Sequence, residues 1–236
     1  MKAVLSAEPS GILLIDKHDD WTSNDVCQFV KHYFKLKKVG HGGTLDPFAT
    51  GLLVLYLNKA TKLASQSISD SKVYEGVIRF GVKTSTGDPL GEIIQEKEVS
   101  LVSDQTVTDV FNQFVGELWQ TPPMVSAIKK DGVPLYKLAR KGIVVEREKR
   151  KIQIFSLELM KNTFPFVRFR AHVSKGTYIR TLAEDIGEKI NIPASLSELR
   201  RISSGDFNIE QAITTDQIKQ MDSLEDVLPH LIDIPK

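Results

Sequence analysis

Apolar residues recur along this chain in three rhythms, and each predicts a different element. Unbroken apolar runs read as buried strands. Gly11-Ile12-Leu13-Leu14-Ile15-Asp16-Lys17 is one, emerging into a polar loop, and Leu52-Leu53-Val54-Leu55-Tyr56-Leu57 is another. Strict alternation reads as a strand with one buried side. Lys72 to Phe80 sets Tyr74, Gly76, Ile78 and Phe80 on one side, and residues 166–173 alternate Val167, Phe169, Ala171 and Val173 with Arg168, Arg170 and His172. Residues 151–159 form a further strand. The helical rhythm is clearest after Thr22-Ser23-Asn24-Asp25, which offers N-cap residues. There Val26, Phe29, Val30, Tyr33 and Phe34 recur at i, i+3, i+4, i+7 and i+8. Helices are also expected near 60–67, over 104–115 with Val107, Val110, Phe111 and Phe114 inward, and after Thr177, read as the cap of a stripe Ile179, Leu182, Ala183, Ile186 and Ile190. Residues 84–91 are a turn cluster.

Strands and helices interleave irregularly, with tight turns between them. That pattern predicts an α+β fold with a mixed or antiparallel sheet, and disfavours a doubly wound parallel sheet. No linker splits the body, so residues 1–206 are expected to form one domain and 207–236 a short, acidic, helical C-terminal appendage.

Composition changes this picture little. With 41% hydrophobic and 26% charged residues, the chain reads as an ordinary globular protein. Its net charge of +1 hides an asymmetry: residues 207–236 carry −4 and the body +5. The body gathers Lys35/Lys37/Lys38, Lys129/Lys130, Arg140/Lys141, Arg147/Lys149/Arg150/Lys151 and Arg200/Arg201, which together suit a phosphate-tracking surface. Cys27 stands alone, so neither a disulfide framework nor a CxxC zinc pair is present. The five histidines show no metal-binding pairing. The N-terminus lacks a long apolar core and no apolar run is long enough to span a bilayer, so a cytoplasmic protein without membrane contact is expected.

The candidate chemistry centres on Gly40-His41-Gly42-Gly43-Thr44-Leu45-Asp46-Pro47-Phe48-Ala49-Thr50-Gly51, where four glycines surround one histidine and one acid. Glycine admits positive φ and close backbone approach, and Pro47 pushes Asp46 toward an extended conformation. The residues alone leave two readings open: a carboxylate presented for chemistry, or a turn in which Asp46 bonds its own backbone. Lys17, Tyr74 and Arg180 also sit at element boundaries, where functional groups concentrate. An arginine beside Asp46 would keep it ionised, as catalytic group or as half of a structural ion pair. The loop lacks the Gly-Lys-Ser/Thr ending of a phosphate-binding loop, and no GxSxG or GxGxxG pattern occurs. Phe48 stands where an aspartyl-phosphate phosphatase would carry its second acid.

The loop, together with Gly11–Lys17, Ser23-Asn24-Asp25 and Lys175-Gly176-Thr177-Tyr178-Ile179-Arg180-Thr181, resembles the motif set of TruB-type tRNA pseudouridine synthases, in order from about residue 10 to about residue 205. The resemblance implies isomerisation of a uridine in the tRNA T loop (position 55 in tRNA numbering) to pseudouridine, and an α+β catalytic domain built on a mixed, mostly antiparallel central sheet flanked by helices. It implies Asp46 as the catalytic aspartate, Tyr74 as the ring-stacking tyrosine and Arg180 as the partner of the aspartate. Tyr178 and Leu199 match positions that line the substrate pocket, His41 the histidine that contacts the flipped nucleotide, and Lys17 a supporting lysine. The implied partner is the T-arm stem-loop of tRNA, with no cofactor, no metal and no obligate protein partner, the enzyme acting as a monomer. Two departures stand out: His18 replaces the usual proline after the lysine, and the chain ends at 236, before the RNA-binding PUA module that often follows. The competing readings are an RNA-folding factor that binds without chemistry and a metal-free phosphatase.

Overall fold

A computed structural model describes residues 9–67 and 71–233. The stretch read above for a leader lies mostly outside these residues, as does the extreme C-terminus. In chain order the elements begin with strand β1 (Ile12–Lys17), helix α1 (Ser23–Tyr33), β2 (Val39–His41), β3 (Thr50–Leu57), a 3-10 turn at Asn58–Leu63, α2 (Ala64–Ser67) and β4 (Lys72–Phe80). They continue with β5 (Val82–Thr84), β6 (Ile93–Glu96), α3 (Asp104–Phe114), β7 (Gly116–Gln120), β8 (Lys129–Lys130), β9 (Val133–Pro134) and α4 (Leu135–Ala139). The long strands β10 (Arg150–Thr163) and β11 (Phe166–Val173), helix α5 (Ile179–Lys189) and β12 (Ala194–Ser204) follow. The chain finishes with β13 (Phe207–Asn208), β14 (Ile213–Thr214), α6 (Thr215–Lys219), a 3-10 turn at Glu225–His230 and β15 (Leu231–Ile232).

The chain divides into two compact units, one joining residues up to Tyr74 with those from Arg200 onward, the other Glu75–Leu199. In the first, β1 and β3 pair antiparallel in register Ile12↔Tyr56 to Lys17↔Gly51, and β2 pairs antiparallel with the far side of β3. Both central strands are apolar on both faces, as unbroken apolar runs should be. Ile12, Leu14, Leu52, Val54 and Tyr56 form one buried cluster with Ala60, against which Phe207, Ile209 and Ile232 pack, while Leu13, Ile15, Leu53 and Leu55 are fully buried as well. Burial of each large side chain of this kind stabilises the fold by about 1.5–3 kcal/mol. Helix α1 starts as its sequence demands: Thr22 Oγ1 accepts from the Asp25 backbone and Asp25 reciprocates, a complete capping box.

Residues after 206 are woven into this unit. β14 runs parallel to β1 and β15 antiparallel to it, and Asn208 and Thr214 each make a capping box for a short helical turn. The helical reading of the tail captured α6 and its neighbours, but two-residue strands have too little sequence to show a period.

In the second unit the strand order is β12–β4–β11–β10–β7, with β11–β10–β7 antiparallel throughout. The alternation read in residues 166–173 is realised, with Val167, Phe169, Ala171 and Val173 buried and Arg168 and Arg170 exposed. Helix α3 lays Val107, Val110 and Phe111 on this sheet, and Phe111 meets Phe169 edge-on at 6.5 Å. Helix and sheet content and pairing thus make an α+β fold whose strands are mixed and mostly antiparallel. The helix near 60–67 is a 3-10 turn up to Leu63 and an α-helical turn from Ala64, and the cap expected from Thr177 is not made. Tyr178 is the N-cap of α5, and Gln120 replaces the side-chain cap: its Oε1 accepts from Tyr178 N at 2.8 Å and its Nε2 donates to Tyr178 O at 3.1 Å. No helix among the described residues is long and apolar enough to cross a membrane.

Candidate active site

The glycine loop leaves β2 at His41 and rejoins the sheet at β3. Gly43 and Gly51 take φ of +139° and +96°, values that exclude most side chains. Gly51 is also needed for space, since a Cβ there would collide with the backbone of Arg201. Between these two points every residue flanking Asp46 is held from outside. Leu45 is fixed by Ser23 of α1, whose buried hydroxyl accepts from Leu45 N at 2.8 Å and donates to Leu45 O at 3.1 Å. Pro47 O accepts from Lys17 Nζ at 3.1 Å. Arg201, from β12, donates through its guanidinium to Leu52 O at 2.7 Å, to Gly43 O at 3.1 Å and to Thr44 O at 3.5 Å. Asp46 itself is half-buried, and its main-chain carbonyl closes a turn with Ala49 N at 3.1 Å.

Lys17 ends β1 with no exposed surface, its ammonium donating also to His18 O and Trp21 O, both at 2.7 Å. Three donors meet three carbonyls. Burial pulls this ammonium down to about 8, Arg201 adds to the effect, and the charges of Asp19, Asp46 and Asp20 oppose it. His41, paired with Leu55 at the end of β2, is held below the usual imidazole range by burial and then by the positive charge of Arg201. Its neutral form is therefore favoured, and its buried Nδ1 makes no hydrogen bond among the described residues. Tyr74 is buried in β4, on the inward side that the alternation assigned to it.

The remaining three candidates belong to the second unit. Arg180 lies in the first turn of α5, 2% exposed, donating to Thr86 O and Val125 O at 2.8 Å each. Asp88 Oδ2 stands 3.5 Å from it, also buried, and the other oxygen of Asp88 accepts from Thr86 Oγ1 at 2.6 Å and Leu90 N at 3.0 Å. A buried guanidinium with this many acceptors is fixed in place. Tyr178 is half-buried at the start of α5, and Leu199 is buried in β12.

The first unit thus joins Lys17, His41, Asp46 and Arg201 around one loop, and the second joins Arg180, Asp88 and the turn at 84–91. Two consecutive family models cover residues 31–179, as TruB family pseudouridylate synthase (N terminal domain), and residues 180–233, as the tRNA pseudouridylate synthase B C-terminal domain. The chain belongs to the TruB family of pseudouridylate synthases. It is an RNA pseudouridine synthase, an isomerase. Among its relatives, tRNA pseudouridine synthase B of Geobacter sulfurreducens is 45% identical over 221 residues, covering 92% of this chain and 73% of the relative. That of Clostridium tetani is 42% identical over 220 residues, covering 93% and 76%. Among solved structures, a chain of a Cbf5-Nop10-Gar1 complex superposes with a TM-score of 0.69 at 31% identity, over 87% of this chain and 52% of that one. This TruB-family chain therefore spans about half the length of that structural relative.

Sequence reasoning missed Ser23 as a loop anchor, Asp88, Gln120 and Arg201. In the sequence Arg201 groups with Arg200 as one of the basic clusters. Neighbours on a strand point to opposite faces, and only Arg200 reaches the surface, where it pairs bidentately with Asp16 at 2.6 and 3.0 Å. Arg201 is 2% exposed.

Proposed function

We propose that this protein isomerises a uridine of tRNA to pseudouridine, at the T-loop position 55 in tRNA numbering, with Asp46 as the catalytic carboxylate acting on a flipped-out nucleotide. The observation that carries this reading is the anchoring of Leu45 and Pro47 by Ser23 and Lys17, which fixes the residue on each side of one acid. A turn that only reverses the chain needs no such support, whereas a reacting group must be held close to its productive geometry. The relatives named tRNA pseudouridine synthase B supply the substrate class.

In the reaction the N1–C1′ bond breaks, the uracil turns, and a C5–C1′ bond forms. C5 gives up its proton and N1 gains one. Mass and redox state are unchanged, so the reaction requires no cofactor. A carboxylate at Asp46 supplies the negative charge that acts at C1′ or C6 of the nucleotide. Extruding the uridine costs about a few kcal/mol, and stacking on Tyr74 offsets roughly 1–3 kcal/mol of it. The Tyr74 hydroxyl serves proton transfer at the ring. By the same resemblance Arg180 acts as a catalytic residue, neutral His41 contacts the displaced nucleotide, Tyr178 and Leu199 line the pocket, and Lys17 supports the loop.

The test uses the purified protein and a T-arm stem-loop RNA without added cofactor. A carbodiimide-dependent reverse-transcription stop at the T-loop uridine is expected, and it should vanish with Asp46→Asn. Absence of any stop on both stem-loop and whole tRNA would overturn the reading, and a stop at another uridine would overturn the site.

A further inference from the structure

Arg201 is the largest fully buried side chain in the molecule's described core, and it is charged. Burying a guanidinium is expensive unless its donors are matched. Here each of its three nitrogens donates to a backbone carbonyl at one end or the other of the glycine loop. Nε reaches Leu52, beyond the loop's end, while Nη2 and Nη1 reach Gly43 and Thr44 near its start. The main chain of Arg201 adds a second grip, pairing in parallel register with Gly51 at a distance only glycine allows. One residue therefore spans the opening and the closing of the segment that carries Asp46.

We propose that Arg201 is a positioning residue for the reaction: its planar fork fixes the spacing between the Gly43–Thr44 and Leu52 ends of the loop, and that spacing sets where the Asp46 carboxylate stands. The proposal rests on the reading of Asp46 given above. Arg201 is buried and makes its bonds to the protein backbone, so it acts through the loop. A lysine in its place keeps the charge, but one ammonium on a flexible stem cannot reproduce the fixed fork. Misplacement of a reacting group by about 1 Å costs on the order of a hundredfold in rate.

The experiment compares full-length wild type, Arg201→Lys, Arg201→Ala, Asp46→Asn and Val227→Ala on whole tRNA. Val227 is a fully buried apolar residue of the same unit whose side chain bonds no loop atom, and it controls for lost stability. Rates are taken at a temperature where circular dichroism shows each variant folded. Arg201→Lys should lose about a hundredfold in kcat with KM within about threefold, and Val227→Ala should keep its kcat. Added methylguanidinium should raise the kcat of Arg201→Ala at least tenfold and leave Asp46→Asn unchanged. If Arg201→Ala does not fold, Arg201→Lys carries the test alone. A folded Arg201→Lys with wild-type kcat overturns the proposal, as does a kcat loss that Val227→Ala shares. Substantial activity in Asp46→Asn would instead sink the reading of Asp46, so the two failures are distinguishable.

Discussion

Lys17 Nζ donates to the carbonyl oxygen of Pro47 across 3.1 Å, so the residue that follows Asp46 is tied to the end of the first strand. The ammonium has two further bonds, to His18 O and Trp21 O, and no donor to spare.

The pH dependence follows from that arithmetic. With its folded pKa lowered to about 8, Lys17 is charged and fully bonded below that pH, and loses one donor as the pH rises through it. An alkaline limb near pH 8 is expected in kcat, and Lys17→Met should flatten it while lowering the plateau. A limb unmoved in Lys17→Met would belong to another group. Stability should run the other way. Between about 8 and the ordinary lysine value of 10.5 the unfolded chain holds the extra proton, so the contribution of this group to stability rises across that window.

Asp46 and Tyr74 carry the second prediction. Asp46→Asn keeps the size and removes the charge, so turnover should fall to background with the fold intact by circular dichroism. Tyr74→Phe keeps the stacking surface and deletes only the hydroxyl. It should lower kcat by about 10²–10⁴-fold, the range for a proton-transfer group, while RNA affinity measured by filter binding changes much less. Equal losses in both quantities would mean that the hydroxyl serves binding.

Ser23 tests the loop's anchoring from the helix side. Its buried hydroxyl satisfies both the N–H and the C=O of Leu45. Ser23→Ala leaves two buried backbone groups without their partner, at a cost of about 1–3 kcal/mol for each. Urea titration should show that loss as a lower midpoint at unchanged slope. Activity should fall more than stability alone explains, because the residue released stands next to Asp46.

Much of this was legible in the sequence for a simple reason: periodicity reports burial. The unbroken run Leu52–Leu57 is buried on both faces, Lys72 to Phe80 forms a strand over that span, and Thr22 caps α1. The glycine loop announced itself by composition, since Gly43 and Gly51 occupy positive φ. What stayed hidden were contacts between distant segments. Nothing local in Gln120 says that its amide will bracket Tyr178, 58 residues away, and Arg201 reaches Gly43 across 158. Asp88 sat inside a cluster read as a turn, and it is a turn, but one whose carboxylate also faces a buried arginine. Polar side chains that bond backbone carry no period. The one signal available was the pair Arg200–Arg201 on a strand, where alternation requires one of the two to turn inward.

Asp185, on α5, offers a prediction about stability that leaves the loop untouched. Its carboxyl is pushed up to about 6, first by burial and then by the negative charges of Glu188 and Glu184, with Lys83 and Lys149 opposing. The sign is fixed by counting protons. Between the ordinary value of 3.8 and about 6, the folded chain holds a proton that the unfolded chain has released. Stability therefore falls as the pH rises through that interval, and at neutral pH the ionised carboxylate is a net cost to the fold. Asp185→Asn removes the charge and keeps the shape. It should stabilise the protein at pH 7 by about 1 kcal/mol, a figure already reduced for solvent screening of a partly exposed group. The same variant should gain nothing below about pH 3, well under the ordinary value of 3.8, where both states of the wild type are protonated. Thermal melts at pH 7 and at the lowest pH that keeps the protein folded would check both halves. A variant that melts lower than wild type at pH 7 would mean the Asp185 carboxylate makes a favourable contact that outweighs its burial.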